Sequence, residues 1–274
     1  LHWRVKTPLH IEGSPAIQGD IAVAGAGAIE GPDGRAIGDT GFVFAVRISD
    51  GKQLWRHPVK DPESSPVIAG DGICYIGSGV NGCELLALRT APEAELKAAG
   101  LKRELWRAKT PYPATGAVTL VGDIVVIGCG RGNYVQADPN PIGAVIAFDR
   151  KSGKEIWRSP LPDAVLGAVA GDGEKLICPV RNGQVVALNH ADGEVLWRSR
   201  VNDKSPILAG PSLAGDMIYA VSRDGYLAVM NAADGTVIEK HYVDDRSNPG
   251  EMGLSVSSPI VAGGWIYVGS ETGG

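Results

Sequence analysis

Five of the six tryptophans fall at one point of a recurring pattern, and this recurrence restricts the fold more than any other feature of the chain. Trp3, Trp55, Trp106, Trp157 and Trp197 are spaced 52, 51, 51 and 40 residues apart, and Glu239 holds the equivalent place 42 residues further on. Two compact copies show the unit: Gly183-Gln184-Val185-Val186-Ala187-Leu188-Asn189 leads through Asp192-Gly193 to Trp197, and Gly225-Tyr226-Leu227-Ala228-Val229-Met230-Asn231 leads through Asp234-Gly235 to Glu239. The rule is Gly-x-apolar-x-Ala-apolar-Asn/Asp-x-x-Asp/Ser-Gly-x-x-x-Trp. A period of about 40–50 residues, filled with short strands, marks a fold of repeated units that bury their faces against each other.

Upstream of each copy lies a second module. Ser65-Pro66-Val67-Ile68-Ala69-Gly70-Asp71 runs into Cys74-Tyr75-Ile76-Gly77-Ser78, and Ser258-Pro259-Ile260-Val261-Ala262-Gly263-Gly264 runs into Ile266-Tyr267-Val268-Gly269-Ser270. Short apolar runs rich in β-branched residues and punctuated by Gly and Asp read as strands. The 38 glycines and 18 prolines suit many turns. Each repeat is therefore four antiparallel strands: A (Ser-Pro), B (after Gly-Asp), C (Gly-x-apolar-x-Ala) and D (up to Trp and beyond). Pro opens strand A without losing a ladder bond, and Gly-Asp makes the A–B turn. Asn182-Gly183 and Asp224-Gly225 predict two-residue B–C hairpins. A stacked sandwich has no reason to place one Trp per copy. A β-propeller does, because a large aromatic fills the space between adjacent twisted sheets. The chain reads as one all-β propeller domain over residues 1–274, with about six blades whose boundaries fall near the five tryptophans and Glu239. The last blade stops before its strand C. Leu1–Lys6 is expected to be a D strand that fastens a six-bladed ring, or else one end of an arc of seven or eight blades.

The Asp-Gly-x-x-x-Trp step after an Ala-Leu-Asn strand resembles the tryptophan-docking repeat of the pyrroloquinoline-quinone-like (quinoprotein-type) propellers. The resemblance spans essentially the whole chain. It implies a periplasmic or extracellular setting. Relatives include quinone-dependent alcohol dehydrogenases and cofactor-free scaffolds of outer-membrane protein assembly. For a dehydrogenase it would imply a ring of adjacent cysteines, a tryptophan floor and a Ca²⁺ beside a catalytic Asp. Here Cys74, Cys83, Cys129 and Cys178 do not adjoin, and Trp265, the one tryptophan outside the docking set, lies in a strand B where a core position is expected. The reading is therefore a non-catalytic binding or scaffolding propeller with no cofactor, and a quinone-dependent dehydrogenase is the alternative.

Insertions point to a face. Strand parity puts B–C and D–A loops at one end of each sheet and C–D connections at the other. Two B–C loops are long, 25–41 and 128–143. A third insertion, Thr90 to Gly100, is expected to form a short helix between strands C and D, with Thr90 and Glu93 as a capping box and Gly100 as the stop. Long loops on one rim of a rigid scaffold favour binding there. The candidate rim is His10, His57, Tyr112, Arg131, Tyr134, Asp138, Asp163, Asp203 and Arg246. It is mixed in charge, with Tyr and Arg among the residue types enriched at binding hot spots, and it points to a protein or carbohydrate partner.

Other chemistry is thinly represented. Asp33, Asp39 and Asp138 sit in Gly-rich loops but lack the alternating Asp spacing of a calcium loop, and read as solvated turn carboxylates. His2, His10, His57, His190 and His241 form no metal-type pair. A net charge of −5 disfavours a nucleic-acid face. No apolar window reaches the roughly 18 residues of a membrane span. Cys129 and Cys178 read as buried small hydrophobes, and the expected register sets Cys83 opposite Gly77. The chain starts and stops mid-pattern, so it reads as a fragment or a trimmed mature protein, and the missing signal segment carries no information about compartment.

Overall fold

The computed structural model describes residues 2–27, 40–202, 205–243 and 257–269. The fold is all-β and belongs to the β-propeller class. Sheet I has β1 (Ala16–Gln18), β2 (Ile21–Ala26), β3 (Phe42–Arg47) and β4 (Gln53–Pro58). Sheet II has β5 (Val67–Ile68), β6 (Ile73–Ser78), β7 (Glu84–Arg89) and β8 (Glu104–Lys109), with α1 (Glu93–Ala98) between the last two. Sheet III has β9 (Thr119–Val121), β10 (Ile124–Gly130), β11 (Gly143–Asp149) and β12 (Glu155–Leu161). Sheet IV has β13 (Ala170–Gly171), β14 (Lys175–Val180), β15 (Gln184–Asn189) and β16 (Val195–Arg200); sheet V has β17 (Ser212–Ala214), β18 (Met217–Val221), β19 (Tyr226–Asn231) and β20 (Val237–Tyr242). In all five the strands neighbour each other in chain order, so these are the expected A, B, C and D. Sheet VI has two strands among the described residues, β21 (Ile260–Ala262) and β22 (Trp265–Tyr267).

The chain divides into two compact units, residues 1–129 with 148–155, and residues 130–147 with 156–274. In the first, Val23, Val43, Ala45 and Trp55 of sheet I pack against Cys74, Ile76, Leu86 and Leu88 of sheet II. In the second, Ile177, Val185 and Ala187 of sheet IV pack against Ile218, Ala220, Ala228 and Met230 of sheet V. Alternating side chains on each strand supply both faces, which is why both faces of strands B and C are buried.

The tryptophans lock neighbouring sheets by one repeated contact. The Trp157 indole N–H donates 3.0 Å to His190 O in the C–D turn of sheet IV, and Trp197 donates 3.2 Å to Ala232 O in that of sheet V. In the first unit Trp3 donates to Ile48 O at 2.6 Å, Trp55 to Thr90 O at 2.8 Å and Trp106 to Arg150 O at 3.0 Å. The glycine of the Asp/Ser-Gly step has two reasons to be glycine. At Gly193 φ is +73°, and a Cβ would lie 2.5 Å from Cε3 of Trp157. The Ala of the repeat is explained by the same ring. Ala45, Ala87 and Ala187 stand directly across the ladder from Trp55, Trp106 and Trp197. Where Glu239 replaces Trp, the opposing residue is Val229.

Five details differ from expectation. The B–C hairpins of sheets IV and V close three-residue loops, Arg181-Asn182-Gly183 and Arg223-Asp224-Gly225, with Val180 paired to Gln184 and the Ser222 N–H donating to Tyr226 O. The glycine takes the left-handed third place, as three-residue hairpins require; the two-residue turns occur instead between A and B, as in Gln18 paired to Ile21. Gly77 faces Leu85, and Cys83 sits in the turn at φ +49°. Thr90 does not cap α1. Pro92 holds the N-cap place, and the Thr90 hydroxyl donates to Gly72 O instead. Gly100 does end the helix, with its own N–H on Lys97 O and the Leu101 N–H on Leu96 O. Trp265 is not core: it is 70% exposed, because β22 pairs only with β21 among the described residues. No strand covers Leu1–Lys6: Leu1 lies outside the described residues and 2–6 are irregular, yet Trp3 docks on sheet I as the other tryptophans dock on theirs.

Candidate functional site

In sheets I, II, IV and V the D–A segment is tied to the B–C end of the sheet it enters. An N–H one or two residues beyond strand B donates to a D–A carbonyl: Gly27 to His10 O (3.0 Å), Gly79 to Asp61 O (2.7 Å), Arg181 to Ala164 O (2.9 Å) and Arg223 to Pro206 O (2.9 Å). B–C turns and D–A segments therefore share one edge of each unit.

In the first unit, His10 lies on this edge with Nδ1 3.2 Å from Glu12 Oε1. Tyr112 follows β8, and its carbonyl accepts from the Thr110 hydroxyl at 2.7 Å. His57 instead lies within β4, with Nε2 3.0 Å from Glu104 Oε2 on β8. Arg107 grips the same Glu104 at 2.8 Å and Glu84 at 2.6 Å. This network links sheets I and II. The Arg107 hydrogen bonds hold the Glu104 carboxyl below the usual carboxylate range, with His57 adding to the effect. The sequence reading missed Asp61 and Glu63, two buried carboxylates of the D–A segment packed beside Gly79.

In the second unit the long B–C loop of sheet III folds back over the next D–A segment. Arg131 starts the loop, its N–H on Ile142 O at 2.9 Å. Asn133 Oδ1 accepts from the N–H groups of Val135 and Gln136 at 2.9 and 2.7 Å, which turns the chain. The Tyr134 hydroxyl then donates to Leu166 O at 3.0 Å. Ala164 and Leu166 bury themselves with Leu208 beneath it. Asp138 accepts from the Asn140 N–H at 2.8 Å. Asp163 is 5% exposed and accepts from the Ala164 N–H at 2.7 Å. Burial pushes the Asp163 carboxyl up, the Arg181 charge opposes this, and the Asp138 charge adds to it. Tyr134, Asp138 and Asp163 are thus brought together, with Arg131 at the base of the loop. Asp203, Arg246, Asp33, Asp39 and most of loop 25–41 lie outside the described residues.

Arg181 belongs to this cluster and was not picked out from the sequence. Its side chain is largely buried, and its Nε donates to Asn133 O at 2.9 Å. The available signal was positional: Arg131 and Arg181 hold the first place after strand B and Arg223 the second, in three successive repeats.

A family profile described as outer membrane protein assembly factor BamB matches residues 2–140 and again 142–274. An outer membrane protein assembly factor BamB of Nitrosomonas eutropha is 28% identical over 95 residues, covering 35% of this chain and 20% of that protein. The quinohemoprotein alcohol dehydrogenase ADH-IIG of Pseudomonas putida is 29% identical over 169 residues, covering 58% of this chain and 21% of that protein. The matches thus span about a fifth of each of these relatives. Among solved structures, the Pseudomonas putida HK5 quinohemoprotein alcohol dehydrogenase ADHIIG superposes with a TM-score of 0.67 at 17% identity, over 89% of this chain and 43% of its own. BamB of Moraxella catarrhalis gives 0.64 at 18% identity, over 97% and 84%. At these identities the structures share the fold.

Proposed function

The chain belongs to the PQQ-like repeat family described as outer membrane protein assembly factor BamB, and from that premise we propose that it is a non-catalytic binding or scaffolding propeller. It takes a protein partner on its B–C and D–A rim. The observation that carries this reading is the 130–143 loop. It is longer than the three-residue turns of sheets IV and V, yet it is pinned by Tyr134 to Leu166 and by Asn133 to Arg181. A pinned loop loses little freedom when a partner docks, and that favours affinity. Val135 and Tyr134 present apolar and aromatic surface at its tip. A periplasmic or extracellular setting goes with this reading, since the relatives include proteins named as outer membrane assembly factors. No helix among the described residues is long and apolar enough to cross a membrane.

The alternative is a quinone-dependent dehydrogenase, which the alcohol dehydrogenase relative brings forward. The side chains described here do not fit a quinone site. Cys74, Cys129 and Cys178 are buried on three separate strands and Cys83 lies in a turn. Five indoles are committed to C–D carbonyls.

The test replaces residues 131–142 by Asn-Gly and compares the proteins cross-linked to wild type and variant in an envelope extract, with the urea midpoint as a folding check. Selective loss of a cross-linked protein supports rim docking. An unchanged set overturns it and moves the contact to the end carrying α1. Dye reduction by alcohols or sugars after loading with quinone and Ca²⁺ would overturn the non-catalytic reading.

A further inference from the structure

Two arginines on the rim of the second unit have more donors than acceptors. Arg181 and Arg223 occupy the same place, the first residue of the B–C turn, in the adjacent sheets IV and V, and each is fixed there by its own N–H on a D–A carbonyl. Arg181 is 7% exposed. Its Nε is used by Asn133 O, but among the described residues neither Nη group has an acceptor, and no carboxylate lies within ion-pair distance. Arg223 is half-buried, and its guanidinium makes no hydrogen bond or ion pair among the described residues.

The surroundings do not neutralise the pair. Asp224, next in the chain, is consumed by its own turn: Oδ1 takes the Ser222 hydroxyl at 2.5 Å and Oδ2 the Asn202 amide at 2.6 Å. Asp163 is the counter-charge that Arg181 feels, and its Oδ1 is taken by the Ala164 N–H. Burial lowers the Arg181 pKa, Asp163 opposes this, and the Arg223 charge lowers it further, so the two cations act on each other unfavourably. A guanidinium ordinarily meets a carboxylate, and here the donors left over are open to an external acceptor. Two guanidinium groups with spare donors at equivalent turn positions of adjacent sheets, on a chain of net charge −5, form a local site for an oxyanion. Planar guanidinium forks match a carboxylate in geometry.

We propose that Arg181 and Arg223 form a carboxylate-binding site that anchors an acidic segment of a protein partner on the rim. This rests on the rim-docking reading for its partner, while the site itself does not depend on it. Arg131, at the equivalent place in sheet III, stands at the margin.

The test is fluorescence anisotropy of a labelled hexaglutamate peptide with the whole chain, as wild type, Arg223→Gln, Arg223→Glu and Arg181→Lys. Arg223 holds no side-chain bond among the described residues, so its variants keep the wild-type urea midpoint, and Arg181→Lys keeps the charge while removing the planar fork and its bond to Asn133 O. Affinity is expected to fall about tenfold in Arg223→Gln and further in Arg223→Glu, and to weaken with salt. Equal affinity in wild type and Arg223→Glu, or no wild-type binding at about 1 mM peptide, overturns the proposal. Displacement by inorganic phosphate but not by acetate at equal concentration would also overturn it, in favour of a phosphate site. The peptide assay contains no partner protein. Failure of rim docking would leave it intact, whereas failure of the arginine site would leave the loop-dependent cross-link intact.

Discussion

Replacing Trp157 by alanine tests the repeated contact on which the fold rests. Trp157 is 8% exposed and spans from β12 to the C–D turn of sheet IV. A Trp buries roughly 150–250 Å². At about 25 cal/mol per Å² this gives roughly 4–6 kcal/mol, an upper figure because the unfolded chain already covers part of that surface. Loss of the bond to His190 O adds about 1 kcal/mol. Since part of the cavity collapses, the expected cost is about 4 kcal/mol, inside the usual range for large-to-small core changes. The Gly193→Ala variant separates packing from backbone strain. Its φ of +73° costs about 1 kcal/mol by itself, and the new Cβ collides with the Trp157 ring 2.5 Å away. Alone it is expected to cost about 3 kcal/mol, and in the Trp157→Ala background only about 1 kcal/mol, a coupling of about 2 kcal/mol. Urea unfolding followed by far-ultraviolet circular dichroism reads all four proteins. A Trp157→Ala cost below about 1 kcal/mol, or an equal cost of Gly193→Ala in both backgrounds, would refute the docking argument.

Asp163→Asn changes the pH profile in a direction fixed by the raised carboxyl pKa. The folded form of Asp163 holds its proton above the ordinary 3.8, so its contribution is fully present below that value and is lost as pH rises through the raised one; Asp163→Asn is expected to flatten this fall in urea-monitored stability and to be the more stable protein at neutral pH. Arg103 donates to Arg89 O at 2.6 Å, Ala91 O at 3.0 Å and Glu93 Oε2 at 2.8 Å, and stacks 4.2 Å from the Trp55 ring. Arg103→Ala is expected to cost about 3 kcal/mol in urea unfolding and to open residues 90–102 to limited proteolysis, since it strands buried carbonyls. Burial pushes the Cys74 thiol up to about 12 and the Cys178 thiol higher still. A thiol reagent at neutral pH is therefore expected to modify Cys83 alone in the folded protein and all four cysteines in urea, counted by mass.

The fold was legible because its constraints repeat. One Trp needs one glycine turn to stack on and one Ala across the ladder, so three positions per unit are set together. The fifth copy shows the dependence from the other side: with Glu239 in place of Trp, the residue across the ladder is Val229, and Glu239 turns outward to His241 Nε2 at 2.9 Å. The turns were legible only in part. Asn-Gly and Asp-Gly tolerate positive φ in both two- and three-residue loops, so composition located these turns without fixing their length. Thr90 shows the same limit. Its hydroxyl had two uses, capping α1 or bonding Gly72 O, and only the fold of the A–B turn beside it decides between them.

The site was less legible, and for an opposite reason. Rim residues act through single contacts between segments distant in sequence, such as Tyr134 with Leu166 and Asn133 with Arg181, and one copy of a contact leaves no period to detect. Parity gathered the B–C and D–A segments at one edge, and of the expected rim the fold brings Tyr134, Asp138 and Asp163 together. It could not show that His57 would turn toward Glu104 on the next sheet. The arginines are intermediate. Arg131, Arg181 and Arg223 do repeat, at the start of the B–C connection of sheets III, IV and V, so their positions could be read from the aligned copies. The spare donors of Arg181 and Arg223 could not, because they depend on where Asp163 and Asp224 spend their oxygens, on Ala164 and on Ser222 with Asn202. A repeated position with an unrepeated electrostatic environment is where a scaffold built from copies acquires a particular ligand.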